Sequence, residues 1–277
     1  MTKQRIALAL LLLFVGLGAW AFWLEPASLE VKEHTLEIPR WPRALDGLRI
    51  AVLADLHVGS PFNGVAKLEK IVAATNEAKP DLIVIPGDVM IQEVFGGEQV
   101  PPEEIASHLA LLKAPLGVFA TLGNHDWWFD AKRVGASLGE RGIKVLEDAN
   151  VEINRGKHSF WLAGIGDFWE GKHDVAKALA NIPFYAPIIA ITHNPDVFPL
   201  IPDHVSVTIA GHTHGGQVWL PVIGRPIVPS DYGQRYAANH IVENARHLFV
   251  GTGLGTSIVP VRFLVPPEIS IVKLVSR

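Results

Sequence analysis

The chain has 277 residues, 49% hydrophobic and 19% charged, which is enough apolar content for a large core and too much for a disordered chain. It contains no cysteine, which excludes thiol nucleophiles, disulfides and thiolate-bound zinc. A formal net charge of -4 offers no electrostatic footprint for general nucleic-acid binding, and no such partner is expected.

The first predicted element is a helix. Ile6 to Leu24 carries no charged residue; Lys3 and Arg5 precede it, and Glu25, Glu30 and Glu33 follow. At about 1.5 Å per residue this stretch matches the roughly 30 Å hydrocarbon core of a bilayer. Trp20 and Trp23 stand where interfacial aromatics belong. The positive flank predicts a single-pass anchor in the cytoplasmic membrane, with its N-terminus inside and everything after it facing outward. A cleaved signal peptide is the alternative, since Ala19-Trp20-Ala21 loosely fits a small-x-small cleavage site.

From Leu29 onward the composition is that of a soluble protein. A short alternating strand is predicted at Leu36 and Ile38, broken by Pro39 and Pro42. Five apolar runs then recur: Ile50–Ala54, Leu82–Ile85, Val118–Leu122, Ile188–Ile191 and Val205–Ala210. Runs this short and this apolar read as strands buried on both faces. Helices are predicted over Val65–Ala78, Glu103–Leu112 and Asp130–Arg141. Ala149–Ile153 and Ser159–Ala163, split by Asn154-Arg155-Gly156, read as an antiparallel hairpin, and Glu268–Val275 as a last alternating strand. This order predicts one α/β domain whose sheets are covered by helices.

Polar groups collect where the runs end. The five runs lead, in order, into Asp55-Leu56-His57, Gly87-Asp88, Gly123-Asn124-His125-Asp126, Thr192-His193-Asn194 and Gly211-His212-Thr213-His214. In open α/β sheets ligands bind beyond the carboxyl ends of strands, so the five sets are expected to converge. In an extended segment residues i and i+2 share a face, which would aim Asp55 with His57 and His212 with His214. Oxygen and imidazole donors without thiolate suit manganese, iron or zinc, and they are too many for one tetrahedral zinc. Taken singly, each set has a bland reading as a turn, a surface pair or a capping residue. Together and in this order they point to a two-metal site whose net positive charge suits a phosphate.

The whole series resembles the calcineurin-like metallophosphoesterases, whose pattern of Asp-x-His, Gly-Asp, Gly-Asn-His-Asp, a lone His and Gly-His-x-His is present here without a gap. Gly211 to Gln217, and Gly253-Leu254-Gly255 through Pro260-Val261-Arg262 to Pro267-Glu268-Ile269, are similar to the bacterial membrane-associated branch with YkuE- and YaeI-like phosphodiesterases. The resemblance implies a four-layer αββα sandwich over residues 29–277, with residues 1–28 as a cytoplasmic stub and anchor. It further implies that Asp55, His57 and His214 hold one divalent metal, that Asn124, His193 and His212 hold a second, and that Asp88 bridges them. Manganese is the expected metal, with iron, zinc or magnesium as alternatives.

Two divalent ions in such a set would supply an activated water near neutral pH and clamp the phosphate oxygens. Asn124 would donate amide protons to a phosphate oxygen, and His125 would protonate the leaving oxygen. Asp126 would orient that imidazole or, equally, cap the helix that follows. Trp127, Trp128, Phe168 and Trp169 would either line a substrate groove or, the favoured reading, pack in the core. Asp167 ends another apolar run and would face the same crevice. An anchored site points to amphiphilic, lipid-linked or cell-envelope phosphoesters, a glycolipid pyrophosphate among them, although an outward-facing site fits a cytoplasmic intermediate badly. The competing reading is a non-catalytic metal-binding module on the same fold, for which gaps among the ligands would be expected.

Overall fold

The computed structural model describes residues 2–277. After an N-terminal helix, the chain folds into twelve strands: β1 (Glu30–Ile38), β2 (Leu48–Val52), β3 (Leu82–Pro86), β4 (Val118–Thr121), β5 (Lys144–Val145), β6 (Ala149–Arg155), β7 (His158–Ile165), β8 (Ile188–Thr192), β9 (Val207–Ala210), β10 (Asn239–Glu243), β11 (Arg246–Val250) and β12 (Glu268–Ser276). They form two six-stranded sheets, ordered β1-β12-β2-β3-β4-β5 and β10-β11-β9-β8-β7-β6.

The apolar runs explain why the sheets stack. Along β2, Ile50 and Val52 enter the space between sheets, beside Val84, Leu162, Ile191 and Phe249. Ala51 points the other way and joins Ile83, Leu68, Ile71 and Ile105 under a helical layer. With period two and both faces covered, neither face needs polar residues, so the strand reads as continuously apolar. The helices Val65–Glu77, Pro102–Leu109 and Asn124–Glu140 cover the first sheet. The second sheet's outer face, including Ala163, Ile165 and Val250, packs on Val197, Phe198 and Tyr236. These come from short turns at Pro195–Leu200 and Gly233–Tyr236, accompanied by the helix Val175–Ala178. The architecture is the expected αββα sandwich, with a thin fourth layer.

Parallel pairing sets where the strands finish. β2, β3 and β4 run parallel, as do β7, β8 and β9. The β6–β7 hairpin pairs antiparallel from Ala149↔Gly164 to Arg155↔His158, as predicted. β12 runs antiparallel to β2, and β1 runs parallel to β12 from Glu30↔Glu268 to Ile38↔Ser276. β1 and β12 therefore begin at the end of the sheet where β2, β3 and β4 finish. β1 is longer than its sequence suggests: it is an edge strand, and only Leu36 and Ile38 of it enter the core. The β10–β11 hairpin has no counterpart in the sequence reading, because Asn239-His240-Ile241-Val242-Glu243 is too polar to stand out.

The N-terminal helix runs over Lys3–Ala27, one turn beyond the predicted Leu24, and among the described residues it is the one helix long and apolar enough to cross a membrane. No residue of its Lys3–Ala19 portion is buried, whereas Ala21, Glu25 and Pro26 are buried against the domain.

Candidate active site

All five polar sets meet at the carboxyl ends of β2, β3, β4, β8 and β9. Their aim does not come from extended i, i+2 pairs as the spacing suggested. Asp55 (φ 49°), His57 (φ 38°), Asp88 (φ 53°), His212 (φ 70°) and His214 (φ 51°) all adopt left-handed backbone, so each strand breaks sharply as it delivers its side chain. Non-glycine residues take up this conformation at a cost of about 1–3 kcal/mol each, and such strain gathers at functional sites. The turns also pack backbone on backbone. A Cβ on Gly123 would lie 2.6 Å from the Asp88 nitrogen, and one on Gly87 would lie 2.6 Å from the Gly123 nitrogen.

Asp88 stands at the centre. Its Oδ2 lies 3.4 Å from His57 Nε2 and 3.3 Å from His193 Nε2. On the far side of His57, His214 Nε2 is 3.0 Å away, and it is 3.8 Å from Asp55 Oδ1. Beyond His193, Nε2 meets Asn124 Oδ1 and His212 Nδ1, each at 3.0 Å. The donor atoms of Asp55, His57 and His214 all lie within 4.8 Å of one another, as do those of Asp88, His193 and His212. The expected ligands thus converge as two sets on either side of Asp88.

The chemistry of this set fits divalent metals. His57 Nδ1 and His193 Nδ1 lie 3.0 Å and 2.9 Å from the carbonyls of Met90 and Pro86, which can only accept. Both imidazoles therefore carry a proton on Nδ1 and turn Nε2 inward as a lone pair, toward a carboxylate oxygen and other lone pairs. Such a cluster repels itself unless positive charge enters it. Protein groups alone balance it by protonating His193: burial would depress that imidazole, but the Asp88 carboxylate overcomes burial and pushes it up to about 10. His212 and His214 are held well below the ordinary imidazole range, chiefly by burial, so they are neutral and free to ligate. Asp55 Oδ2 is buried without a hydrogen-bond partner. Buried polar atoms of this kind are costly unless a partner such as a cation satisfies them.

His125 and Asp126 behave differently from each other. His125 packs edge-on against His57, with ring centroids 4.6 Å apart, and its Nδ1 has no partner. Burial, then the neighbouring His57 and His193 working against Asp88, leaves its pKa lowered to about 4. Asp126 neither orients His125 nor caps a helix starting at Trp127. The helix begins at Asn124 with Gly123 as its cap, which puts Asp126 in the third position. Its carboxylate there accepts the N–H groups of Gly123, Val89 and Met90 at 2.9–3.0 Å and so ties the β3 and β4 turns together.

The match with known proteins decides the family. Residues 48–216, more than half the chain, fit the calcineurin-like phosphoesterase family. The chain belongs to the calcineurin-like phosphoesterases. It is 31% identical over 275 residues to the uncharacterized metallophosphoesterase YkuE of Bacillus subtilis, covering 93% of this chain and 89% of that one. It is 30% identical over 265 residues to phosphodiesterase YaeI of Escherichia coli, covering 94% and 93%. It is 26% identical over 313 residues to the UDP-2,3-diacylglucosamine pyrophosphatase LpxG of Chlamydia muridarum, covering 92% of each.

In this phosphoesterase Asp88, Asn124, His125, His212 and His214 line a cavity of about 630 Å³ whose walls also include Trp128, Trp169, Gln217, Ile227 and Ile258. The aromatic residues depart from the core-packing reading. Trp127, Trp128 and Trp169 are exposed; the Trp128 ring lies tilted against His125, Trp169 stands edge-on to His212, and Glu170 accepts the Trp128 indole N–H at 2.7 Å. Only Phe168 packs on the core of the second sheet. Asp167 is buried behind this wall; its Oδ2 accepts the N–H groups of Trp169 and Glu170 while Oδ1 has no partner. Gln217 closes the Gly211–Gln217 motif, whereas Ile227 and Ile258 have no signal in the sequence because they lie on loops without periodicity.

Proposed function

We propose that this chain is a two-metal phosphodiesterase-type hydrolase, anchored by its N-terminal helix, that cleaves a phosphate ester or anhydride of an amphiphilic cell-envelope molecule. The observation that carries this reading is Asp88 Oδ2, set between the lone pairs of His57 and His193 at the junction of two donor sets. Asp55, His57 and His214 would hold one divalent ion and Asn124, His193 and His212 the other, with Asp88 shared. When bound, the pair supplies Lewis acidity toward phosphate oxygens and an activated water nucleophile. With two carboxylates among the ligands the loaded site keeps a positive charge, which favours a phosphate over a neutral ester. Manganese suits the mixed oxygen and imidazole donors, as do iron and zinc, with magnesium a further alternative.

The rest of the work falls to the chain's own groups. Asn124 offers amide N–H donors at the start of its helix, where backbone N–H groups and the helix dipole also favour an anion. His125 faces the cavity with Nδ1 unpartnered and serves the leaving oxygen, as a hydrogen-bond donor or, once an anionic phosphate raises its pKa, as an acid. Asp126 holds the two turns in register. The apolar wall of Trp128, Trp169, Ile227 and Ile258 gives a second ester substituent somewhere to lie, which favours a substituted diester or pyrophosphate over a small monoester. LpxG, named for a diacylated sugar nucleotide, lends the lipid-linked class support. We read residues 29–277 as the catalytic unit and residues 1–28 as the stub and anchor, with the catalytic unit on the outer side.

Hydrolysis of bis-p-nitrophenyl phosphate and p-nitrophenyl phosphate by the full chain in detergent tests the reading. Turnover should vanish on chelation, return with manganese, favour the diester, and fall at least about 100-fold in Asp88→Ala. His125→Ala should lower kcat by about 10²–10⁴ with little change in metal content. A folded protein that binds manganese yet hydrolyses neither ester with any divalent ion would support a non-catalytic module instead.

A further inference from the structure

The helix Lys3–Ala27 does not leave the domain on a linker; its last turns are built into it. The Arg262 N–H donates to the Ala21 carbonyl at 2.9 Å, and Lys67 Nζ donates to the Pro26 carbonyl at 2.8 Å. Glu25, only 3% exposed, accepts the Val265 N–H and the Trp20 indole N–H. Trp23 lies against Phe62, with ring centroids 5.9 Å apart. Arg262 is fully buried, and its guanidinium donates to the carbonyls of Thr252, Gly255 and Val265. That segment in turn abuts the site: a Cβ on Gly255 would lie 2.6 Å from His57 Cβ, and one on Gly253 would lie 3.1 Å from Asp55 Cβ. The helix thus reaches the fold at the end where the strands deliver the site, as the shared starting end of β1 and β12 requires.

This geometry sets a depth. About 20 helical residues cross the hydrocarbon core, so a span entered near Ile6 leaves Ala21–Leu24 at the outer interface. Whatever touches those residues lies at the same level. Phe62, Phe95, Ile258, Val259 and Leu264 surround the joint, and all are exposed; Phe95 and Ile258 are 79% and 71% exposed. They form one surface: the Phe95 N–H donates to the Ile258 carbonyl at 3.0 Å, and Ile258, Val259 and Leu264 flank Arg262 in the chain. Ile258 (φ 61°) and Leu264 (φ 57°) hold left-handed backbone, which bulky side chains adopt only at a cost. Ile258 also lines the mouth of the cavity above the metal ligands. Large apolar side chains clustered in water mark an interaction surface, and here the cluster is continuous with the membrane helix.

Resting on the membrane-anchor reading above, we propose that this face is a bilayer-docking surface. Trp23, Phe62, Phe95, Ile258, Val259 and Leu264 enter the interfacial layer, and the cavity mouth opens against the lipid rather than into bulk solvent. An amphiphile then reaches the phosphate site along the membrane plane, its apolar part beside Ile258 and Ile227 and its phosphate on the metal ligands.

The absence of native cysteine makes the test direct. Full-length chains carrying Leu10→Cys, Phe95→Cys, Ile258→Cys, Leu264→Cys or Lys157→Cys are labelled with a fluorophore and reconstituted in phosphatidylcholine–phosphatidylglycerol vesicles. Quenching by lipids spin-labelled near the headgroup is then read. Lys157 is the reference, in the β6–β7 turn at the opposite end of the second sheet. Labels at Phe95, Ile258 and Leu264 should be quenched at least about twofold more than at Lys157. Phe95 and Leu264 do not line the cavity, so they report independently of any disturbance at Ile258. Quenching at Leu10 with Phe95, Ile258 and Leu264 no different from Lys157 overturns the docking surface and leaves the anchor standing. No quenching at Leu10 overturns the anchor itself and the docking surface with it.

Discussion

Glu147 carries a carboxylate that the catalytic reading does not use. Its Oε1 accepts the Leu122 N–H at 2.8 Å, just where β4 turns into the site. Burial, opposed by that hydrogen bond and reinforced by Asp148, Asp167 and Asp126, pushes its pKa up to about 7 from an ordinary 4.5. Between those values the folded chain holds a proton that the unfolded chain has released, so stability falls as pH rises from about 4.5 to about 7 and levels off above. Glu147→Gln keeps an acceptor for Leu122 without the charge. Its melting temperature relative to wild type should climb from pH 5 to pH 8, and a difference that stays flat would show the carboxylate to be freely solvated. At this scale the sequence displayed the identity and order of the donors but not their aim. Left-handed backbone at Asp55, His57 or His214 has no local signature, because only the surrounding fold holds it. Asp126 was misread for a related reason: Val89 and Met90, whose N–H groups it accepts, lie more than 30 residues earlier in the chain.

Among the elements, the helix Asn124–Glu140 is two pieces. Asp130 has extended φ and ψ values of -180° and 89°, and its Oδ1 accepts the Arg133 N–H at 3.0 Å. It is the N-cap of a second helix, and the turn before it exists to present Asn124 and His125. The sequence reading of a helix from Asp130 therefore found the second piece and missed the first, whose residues are chosen for the site rather than for helical periodicity. Asp130→Ala should lower stability by about 1 kcal/mol, as loss of a cap does, while leaving metal-dependent turnover within about twofold. Thermal melts and the diester assay read the two effects separately. A large loss of turnover would mean that the second piece also sets the position of His125. The interior strands were plain in the sequence because burial on both faces leaves uninterrupted apolar runs. β1 and β10 were faint or absent because edge positions tolerate charge, as Lys32, Glu33 and Glu243 show.

At the level of the whole molecule, the charges either side of the helix argue for an outward catalytic unit: Lys3 and Arg5 precede it, and Glu25, Glu30 and Glu33 follow. A C-terminal tag should be digested by protease added to spheroplasts, and protection of the tag would reverse the orientation. An α/β domain with helix-covered sheets and the convergence of five strand ends followed from the order of apolar runs and donors, whereas the αββα layering was implied by the family resemblance. The joint between the helix and the domain did not, because Glu25, Lys67 and Arg262 are ordinary charged residues in sequence and become a buried network only when the 252–265 segment folds over the helix end.

β12 lies between β1 and β2, so the first sheet receives an interior strand from residues beyond Glu268, after every other strand has been made. While synthesis proceeds, β1 has no partner and β2 shows a bare edge, so the Asp55 turn lacks the neighbour that will brace its strand. On the outward-facing reading proposed above, a chain that has not yet made β12 would cross the membrane with its first sheet still open, and that sheet would close only when β12 arrives.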